Sequence, residues 1–418
     1  MFTKKLSFRL ILAWAIAVVT LMTTTRAAAQ EESVLYSFDK ISEPYAGLIF
    51  DASGNLYGTT LFGGDYGYGS VFELLPQAGG GWSEQTLHSF TKKGGDGFYP
   101  VAGLVLDAAG NLYGTAQDGG AYQHYGIVFE LVRNENGSWD EEILHSFNLN
   151  GRDGVHPLAG LIFDAAGNLY GTTSYGGIYA NGTVFELLPK PGGGWGEKIV
   201  HNFFNNFVDG VTPYAGLIFD ASGNLYGTTT VGGAYCSQCG TVFKLARKPG
   251  GDWSEEILHS FNFNGADGVQ PYGGLVFDPA GNLYGTTANG GVYNEGTVFE
   301  LSTAAGGRWS EKILHDFSDA GTDGAQPLAG LILDAAGNLY GTTSFGGASG
   351  EGTVFELLPS AGGSWTEETL HSFLDNGVDG DRPYYAPVVF DAWGNLYGTT
   401  YAGGSSPSGG GAVFEVTP

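Results

Sequence analysis

Short apolar runs, each bounded by glycine, asparagine, aspartate or proline, recur along the chain from residue 30 onward. In the second of seven similar segments they lie at 103–106, 112–115, 127–131 and 139–147. Runs of this length, rich in β-branched and aromatic residues, are typical of β-strands. No apolar pattern with the helical period continues for ten residues in this part of the sequence. The pattern therefore predicts an all-β protein with four strands in each segment.

The segments are copies of one phrase, a short apolar run followed by Asp-x-x-Gly-Asn-Leu-Tyr-Gly-Thr. The phrase returns at intervals of 56 to 58 residues. Its first residues are Asp51, Asp107, Asp164, Asp220, Asp278, Asp334 and Asp391. Self-similarity at such a period is typical of an array of identical units that bury their apolar faces against one another. Asp-x-x-Gly suits a hairpin turn with glycine in the left-handed region, so we interpret these aspartates as turn formers.

The count of the fourth strand indicates a closed ring. That strand follows each of the first six repeats, but the seventh ends at 413–418 without one. The missing copy is found near the other terminus, where 33–38 resembles 87–90 with Tyr36 in the histidine position. A strand exchanged in this way protects the edges of a β-propeller, whereas an open solenoid requires polar caps. We predict a seven-bladed β-propeller with four antiparallel strands per blade, closed by 33–38 pairing beside 411–416.

The first 29 residues have the order of a secretory signal peptide. Basic side chains precede an apolar stretch at 10–22, and three alanines at 27–29 offer a cleavage site. This stretch is shorter than the roughly 20 residues that span a bilayer, although a retained N-terminal anchor is the alternative. We expect a secreted or periplasmic product with no membrane span after cleavage, and a single propeller domain over 30–418.

Charge and cysteine usage narrow the classes of partner. The chain has 17 basic and 43 acidic side chains, and the first 29 residues hold four of the basic ones. A surface this acidic excludes nucleic acid, whose binding needs lysine and arginine, and keeps an exported protein soluble; we expect a monomer. Cys236 and Cys239 are expected to form a local disulfide, because a zinc site would need two further ligands.

Two polar residue types recur at fixed places. A histidine in the fourth strand is interpreted as a hydrogen-bonded packing residue between sheets, and strand alternation predicts that it shares a face with the Trp, Glu and Phe of that strand. The histidines are His88, His145, His201, His259, His315 and His371. An Asp-Gly-x-x-Pro turn follows in the fourth-to-first loop, with aspartates at Asp96, Asp153, Asp209, Asp267, Asp323 and Asp379. A ring of these carboxylates near the channel mouth could hold calcium, but calcium-loop spacing is absent, so we expect neither a metal nor a cofactor.

Candidate ligand-binding residues lie on the second-to-third and fourth-to-first connections, which should share one face of the disc. Loops on a rigid scaffold commonly carry binding residues. A Gly-Gly-x-Tyr motif recurs there, and its tyrosines either pack between blades or form an aromatic platform. These tyrosines are Tyr66, Tyr122, Tyr179, Tyr235 and Tyr293. The polar residues that occur in single blades are His124, His156 and Arg382.

The repeated phrase resembles strand pairs of the NHL, SMP-30 and YVTN propellers. The longer pattern joins Gly-Asn-Leu-Tyr-Gly-Thr-Thr, Gly-Gly, Gly-Thr-Val-Phe-Glu-Leu and Leu-His-Ser-Phe, and it resembles the Gloeo/Verruco tandem repeat of exported bacterial proteins over about 33–418. This resemblance implies a propeller but no known reaction, so no catalytic residue follows from it.

Three functional hypotheses are compatible with the sequence. The first is an exported non-enzymatic binding or scaffold propeller that recognises an extracellular or cell-surface glycan or protein through its loops. The second is a propeller enzyme, a polysaccharide lyase or hydrolase, which would need an acid and a base placed singly. The third is a structural protein of the envelope or matrix. The sequence favours the first, because repeated residues serve the fold and only a few polar groups are singular.

Overall fold

A computed structural model describes residues 31–39, 41–304 and 306–418, so the predicted signal peptide lies outside it. The described residues contain strands and no helix, and they form seven four-stranded antiparallel sheets. No helix in these ranges therefore has the length and apolar character that crossing a membrane would require. The seven-bladed propeller predicted from the repeats is confirmed.

Each blade runs from a two-residue strand at the central channel to a long strand at the rim. From the inner to the outer strand, the blades are Ile49–Phe50, Leu56–Thr60, Ser70–Pro76, Trp82–Ser89; Val105–Leu106, Leu112–Ala116, Ile127–Arg133, Trp139–Ser146; Ile162–Phe163, Leu169–Thr173, Thr183–Pro189, Trp195–Asn202; Ile218–Phe219, Leu225–Thr229, Thr241–Arg247, Trp253–Ser260; Val276–Phe277, Leu283–Thr287, Thr297–Thr303, Trp309–Asp316; Ile332–Leu333, Leu339–Thr343, Thr353–Pro359, Trp365–Ser372; and Val389–Phe390, Leu396–Thr400, Ala412–Thr417, Glu31–Ser37.

The first strand of the described chain completes the seventh blade. Glu31–Ser37 lies antiparallel beside Ala412–Thr417, and the register pairs Ser33 with Glu415. Beyond the strand, the Phe38 amide donates a hydrogen bond of 3.0 Å to the Gly411 carbonyl. The two ends of the propeller are thereby paired as the sequence predicts, and the ring closes.

The core lies between blades, and the glycine of Leu-Tyr-Gly-Thr is essential to it. In blade three a Cβ atom on Gly171 would lie 2.6 Å from Cζ of Phe185, whose ring is fully buried. The next residue, Thr172, donates a hydrogen bond of 3.1 Å to the Ala215 carbonyl of blade four. The glycine therefore makes room for a ring, while the threonine fastens one blade to the next.

The aspartate that opens each inner hairpin organises the turn. Asp164 Oδ1 accepts hydrogen bonds from the amides of Ala166 and Asn168 at 2.8 and 2.9 Å. Gly167 has a φ of 83° and donates its amide to the Asp164 carbonyl. The same contacts recur in the other blades, which confirms the aspartates as turn formers.

Replacing one of these aspartates should weaken its blade. We expect Asp164→Ala to lower the free energy of unfolding by about 1–3 kcal/mol, because several donors lose their acceptor. Thermal unfolding followed by circular dichroism measures this loss. The matched control is Ala166→Ser in the same turn, since serine occupies this position in blades one and four. An equal loss in both variants would contradict the role of the carboxylate.

A β-bulge in every fourth strand corrects the predicted alternation. In blade two Val128 pairs with His145 and Phe129 with Ile143, so Leu144 is the extra residue. The bulge places His145 on the opposite face of the sheet from Trp139 and Ile143. Trp139 packs against the preceding blade, whereas Leu144 packs against the following one. The predicted single face for Trp, Glu, His and Phe is therefore wrong, because the inserted residue reverses the alternation halfway along the strand.

The long connections share one face of the disc, which we call the loop face. In six blades the fourth-to-first connection pairs with the second-to-third connection through a two-stranded ribbon. The ribbons are Gly97–Phe98 with Asp118–Gly119, Gly154–Val155 with Tyr175–Gly176, Gly210–Val211 with Val231–Gly232, Gly268–Val269 with Asn289–Gly290, Gly324–Ala325 with Phe345–Gly346, and Gly380–Asp381 with Ala402–Gly403. The predicted sharing of a face is confirmed by this direct pairing.

Candidate functional site

Exposed apolar side chains are concentrated on the loop face. Of eighteen large hydrophobic side chains that are exposed in the described part of the chain, sixteen belong to its loops. The other two are Ile143 on a rim strand and Trp393 in a turn on the opposite face. The sixteen are Ile41, Tyr66, Tyr122, Leu149, Tyr175, Ile178, Tyr179, Phe204, Phe207, Val208, Tyr235, Phe263, Val292, Tyr293, Leu374 and Val378. This asymmetry makes the loop face the candidate interaction surface.

The five tyrosines of the Gly-Gly-x-Tyr motif are all among these exposed residues. Their exposed fractions range from 46% to 65%, so their rings are not packed between blades. Tyr179 contacts the Phe204 ring at 4.4 Å, and no ring contact joins two of the five tyrosines. They are therefore separate points around the disc, one in each of blades one to five, and do not form a continuous platform.

Five of the sixteen exposed apolar side chains lie on blade three and the loop that follows it. Ile178, Tyr179, Phe204, Phe207 and Val208 form this blade-three patch. The Ile178 amide donates a hydrogen bond of 2.9 Å to the side chain of Asn202, which holds the two loops together. Phe207 and Val208 are 74% and 58% exposed, although apolar side chains gain nothing from contact with water.

A second aromatic group, which the sequence analysis did not select, closes the central channel at the loop face. Tyr45, Tyr214, Tyr272 and Tyr385 stand just before the inner strands, and ring centroids in this group are 5.1–5.7 Å apart. Behind them is a cavity of about 380 Å³ lined mainly by glycine, alanine, leucine and valine. Proline followed by tyrosine directly before the apolar run was the sequence signal for this group.

The channel offers poor chemistry for acid–base catalysis. Burial raises the pKa of Tyr45 and of Tyr385 well above the usual value for a phenol, and neighbouring tyrosines raise it further. These groups stay neutral at physiological pH. The residues that line the channel include no carboxyl, imidazole or amino group. The cavity can therefore hold a small apolar group or water, but it supplies no proton donor and acceptor pair.

One residue per blade, directly before the Pro of Asp-Gly-x-x-Pro or its counterpart, has a left-handed backbone. All seven have φ between 50° and 63°, although none is glycine. The seven are Glu43, Tyr99, His156, Thr212, Gln270, Gln326 and Arg382. Each amide donates to the preceding blade's second-to-third loop; His156 donates to the Tyr125 carbonyl at 2.9 Å. The backbone is the same in every blade, while six residue types occupy the seven positions, and we call these residues the left-handed ring.

Two of the singular residues belong to this ring, in blades three and seven. His156 Nδ1 lies 3.4 Å from Asp118 Oδ1, and this hydrogen bond raises the pKa of His156. Arg382 Nε donates to Glu351 Oε2 at 3.1 Å. His124 is exposed on the second-to-third loop of blade two. The structure therefore places the three singular residues on the loop face but does not bring them together.

The repeated histidines and aspartates meet between blades, not at the channel mouth. His145 Nε2 lies 3.3 Å from Asp153 Oδ2 and 3.6 Å from Glu197 Oε1 of the next blade. Asp153 Oδ2 also accepts a hydrogen bond of 3.0 Å from the Asn148 amide. The interpretation of the histidines as hydrogen-bonded residues between sheets is confirmed for five of the six; His201 Nε2 lies 3.5 Å from Asp209 and makes no hydrogen bond. The aspartates do not form the ring of carboxylates at the channel mouth that the sequence allowed.

Among the residues that the structure describes, five junctions have this arrangement of one histidine and two carboxylates, which we call junction clusters. They are His88, Asp96, Glu141; His145, Asp153, Glu197; His201, Asp209, Glu255; His259, Asp267, Glu311; and His371, Asp379, Glu32. Burial and the neighbouring aspartate raise the pKa of Glu197 from 4.5 to about 9. The recurrent Trp-x-Glu of the fourth strand was the signal for these glutamates, but the bulge concealed which blade they face.

The cysteines join within one loop of blade four. Cys236 and Cys239 form a disulfide with Cα atoms 5.5 Å apart. Cys239 is fully buried, and its carbonyl accepts a hydrogen bond of 2.8 Å from the Gln270 amide of the left-handed ring. The disulfide thus supports one position of that ring.

Comparison with known proteins gives a family and a fold. The model of the family described as the Gloeobacter/Verrucomicrobia repeat matches residues 19–236, 124–332 and 236–418. No curated protein matches the chain. A solved structure of PorZ, an essential bacterial surface component of the type-IX secretion system of Porphyromonas gingivalis, aligns at 15% identity and a TM-score of 0.52 over 91% of this chain and 47% of that one. An ancestral GH74 enzyme aligns at 12% identity and a TM-score of 0.56 over 93% and 51%. The chain spans about half the length of these two proteins, and at such identities the likeness shows the fold alone.

Proposed function

The chain belongs to the Gloeobacter/Verrucomicrobia repeat family, and we propose that it is an exported, non-enzymatic binding or scaffold propeller whose loop face engages an extracellular partner. The partner is a protein or a glycan at or outside the cell surface. The observation that carries this proposal is the concentration of sixteen of the eighteen exposed large hydrophobic side chains on one face. A propeller that only filled space in a matrix would gain nothing from placing them there.

The blade-three patch is the anchor of the proposed interface. Binding energy is usually concentrated in a few aromatic and apolar side chains that lose contact with water. Phe204, Phe207 and Tyr179 supply such rings, and Ile178 and Val208 enlarge the apolar area. Because aliphatic side chains pack well against protein but give little hold on a sugar, this patch favours a protein partner; the separate tyrosines suit sugar rings better.

The left-handed ring is proposed to set specificity around that anchor. A left-handed backbone costs a non-glycine residue on the order of 1 kcal/mol or more, so glycine would be the cheaper choice for the fold alone. Glu43, His156 and Arg382 nevertheless occupy three of the seven positions. Six residue types occupy the seven positions, with glutamine at two of them, so an unchanged backbone gives the loop face a largely non-repeating polar pattern. The singular residues thus belong to recognition, and their separation argues against a role as an acid and base pair.

Truncating two side chains of the blade-three patch should weaken binding strongly. We expect the double variant Phe207→Ala, Val208→Ala to weaken partner binding by at least tenfold, since the two most exposed apolar side chains of the patch are lost. The immobilised mature protein is probed in parallel with a glycan array and with proteins of the culture supernatant, and a bound partner is then titrated against each variant.

The matched control is Trp393→Ala, because Trp393 is 87% exposed on the opposite face. This variant should bind as tightly as the unmodified protein. Equal binding by all three proteins, or a loss only in Trp393→Ala, would contradict the assignment of the loop face. A partner captured only from the glycan array, with Tyr235→Ala weakening it and the double variant not, would identify the tyrosines as the anchor instead.

A further inference from the structure

We propose that the five junction clusters are binding sites for a first-row divalent metal ion such as Zn²⁺, each held between two adjacent blades by one histidine and two carboxylates. The proposal concerns residues that the loop face does not use, so it stands apart from the proposed binding function. It departs from the sequence-based expectation that the protein has no metal site.

The spacing of the candidate ligand atoms suits one small ion. In the four clusters with both distances, histidine Nε2 lies 3.3–3.5 Å from the aspartate oxygen and 3.3–3.7 Å from the glutamate oxygen. In the fifth, His371 Nε2 lies 3.1 Å from Asp379 Oδ2. Ligands at about 2.0–2.2 Å from a tetrahedral Zn²⁺ are about 3.3–3.6 Å from one another. An ion could therefore enter with only small side-chain movements.

Buried acceptor atoms without partners are the second, independent observation. Asp153 is 4% exposed; its Oδ2 atom accepts hydrogen bonds, but Oδ1 has no partner. Glu197 Oε1 also has none, and the two carboxyl groups are within reach of one another. The same unpaired aspartate oxygen recurs in Asp209, Asp267 and Asp379, each at least nine-tenths buried. Two buried carboxyl groups in contact cannot both be ionised unless a cation lies between them; without the cation they share a proton in the hydrogen bond that joins Glu197 to Asp153.

The donor set selects the class of ion. Imidazole nitrogen suits zinc, copper, iron and nickel, whereas calcium and magnesium prefer oxygen ligands alone. Two carboxylates and a neutral histidine carry a charge of −2, which a divalent ion balances. The histidine side chain in these clusters is 18–21% exposed, so a water molecule can complete the coordination from solvent.

The remaining junctions show why the number is five. At the junction of blades five and six, Thr369 Oγ1 donates to Glu367 Oε1 at 3.0 Å, which gives this carboxylate a different partner. At the junction of blades seven and one, Tyr36 replaces the histidine. Here Thr86 Oγ1 donates a hydrogen bond of 2.9 Å to Glu84 Oε1. Threonine in place of isoleucine or valine thus accompanies the loss of the cluster in these two rim strands.

Metal analysis of the folded protein tests the proposal. The mature chain is treated with a chelator, dialysed against Zn²⁺ at pH 7 and analysed for bound metal, with parallel dialysis against Ca²⁺. We expect five Zn²⁺ per chain, a rise in the thermal unfolding midpoint on zinc addition, proton release on binding as the carboxyl groups ionise, and no displacement by excess Ca²⁺.

Variants separate the clusters from adventitious binding. His145→Tyr, which copies Tyr36 of the natural seventh junction, should reduce the uptake to four ions, while His124→Tyr removes an exposed histidine and should leave five. Glu197→Gln provides a second reduction to four if the tyrosine does not fit. Less than one Zn²⁺ per chain, or the same reduction in the His124 variant, would overturn the proposal. In that case the carboxyl pairs share a proton, and chelator would leave the unfolding midpoint unchanged.

Discussion

Deletion of residues 31–37 is expected to lower the thermal unfolding midpoint by about 10 °C or more and to produce aggregation. The strand forms six residue pairs with Ala412–Thr417, and each lost backbone hydrogen bond removes on the order of 1 kcal/mol. The deletion also leaves Ala412–Thr417, which contains Val413 and Phe414, as an unpaired edge strand, and such edges pair with other chains. Differential scanning calorimetry and size-exclusion chromatography measure the two effects.

Deleting this strand also weakens the junction between blade seven and blade one. Phe38 packs its ring 5.2 Å from that of Phe72 in blade one. Thr399 of blade seven donates a hydrogen bond of 2.9 Å to the Ala46 carbonyl, which ties blade seven to blade one. Without the closing strand this junction loses part of its packing, so two blades are weakened by one deletion.

A circular permutation is the matched control. Thr417 pairs with Glu31, so a connection of the length of 77–81 in blade one can join 418 to 31. New termini then lie in the fourth-to-first connection near residue 40. The permuted protein should recover the midpoint of the unmodified protein. If the deletion itself leaves the midpoint unchanged, the closing strand does not hold the ring.

Gly171→Ala is expected to destabilise the protein by about 3 kcal/mol, the second largest effect. The added methyl group would overlap the Phe185 ring, whose Cζ is 2.6 Å from the Cβ position, and both lie in a fully buried core. Overpacking of this kind costs about 1–3 kcal/mol, occasionally more. A fall of about 5 °C in the thermal midpoint is expected for a chain of this size.

Gly274→Ala provides the control for backbone and composition effects. A Cβ atom at Gly274 meets nothing within 4 Å, and its φ is not in the left-handed region. This variant should unfold at the temperature of the unmodified protein. Adding Phe185→Leu to Gly171→Ala should restore part of the loss by making room for the methyl group. Equal midpoints for Gly171→Ala and Gly274→Ala would show that the close approach is not limiting.

The fold could be predicted because the same strand and turn motifs occur in seven copies, which can be compared with one another. Asp164 and its counterparts act through local hydrogen bonds, which a short motif encodes. The closing strand was found by counting, since Tyr36 and its neighbours complete a pattern that the seventh repeat lacks. Both features depend on residues that are near in sequence or identical between blades.

The candidate sites were harder to predict because they depend on distances across blades. A single extra residue, Leu144, turns His145 toward the next blade and thereby toward Glu197, and nothing in strand alternation indicates that insertion. The tyrosines at the channel mouth meet only because the ring closes. The left-handed ring escaped notice because its residue types differ, and the feature they share is a backbone angle.

The hydrogen bonds of the left-handed ring also determine how stiff the loop face is. The amide of each member donates to a carbonyl of the preceding blade, and its own carbonyl accepts a hydrogen bond from the second-to-third loop of its own blade, as the His156 carbonyl does from the Ser174 amide. Backbone hydrogen bonds therefore link the connections of all seven blades into one continuous ring, which we call the belt. A partner that docks on this belt meets a preorganised surface, so little of its binding free energy is spent on ordering loops.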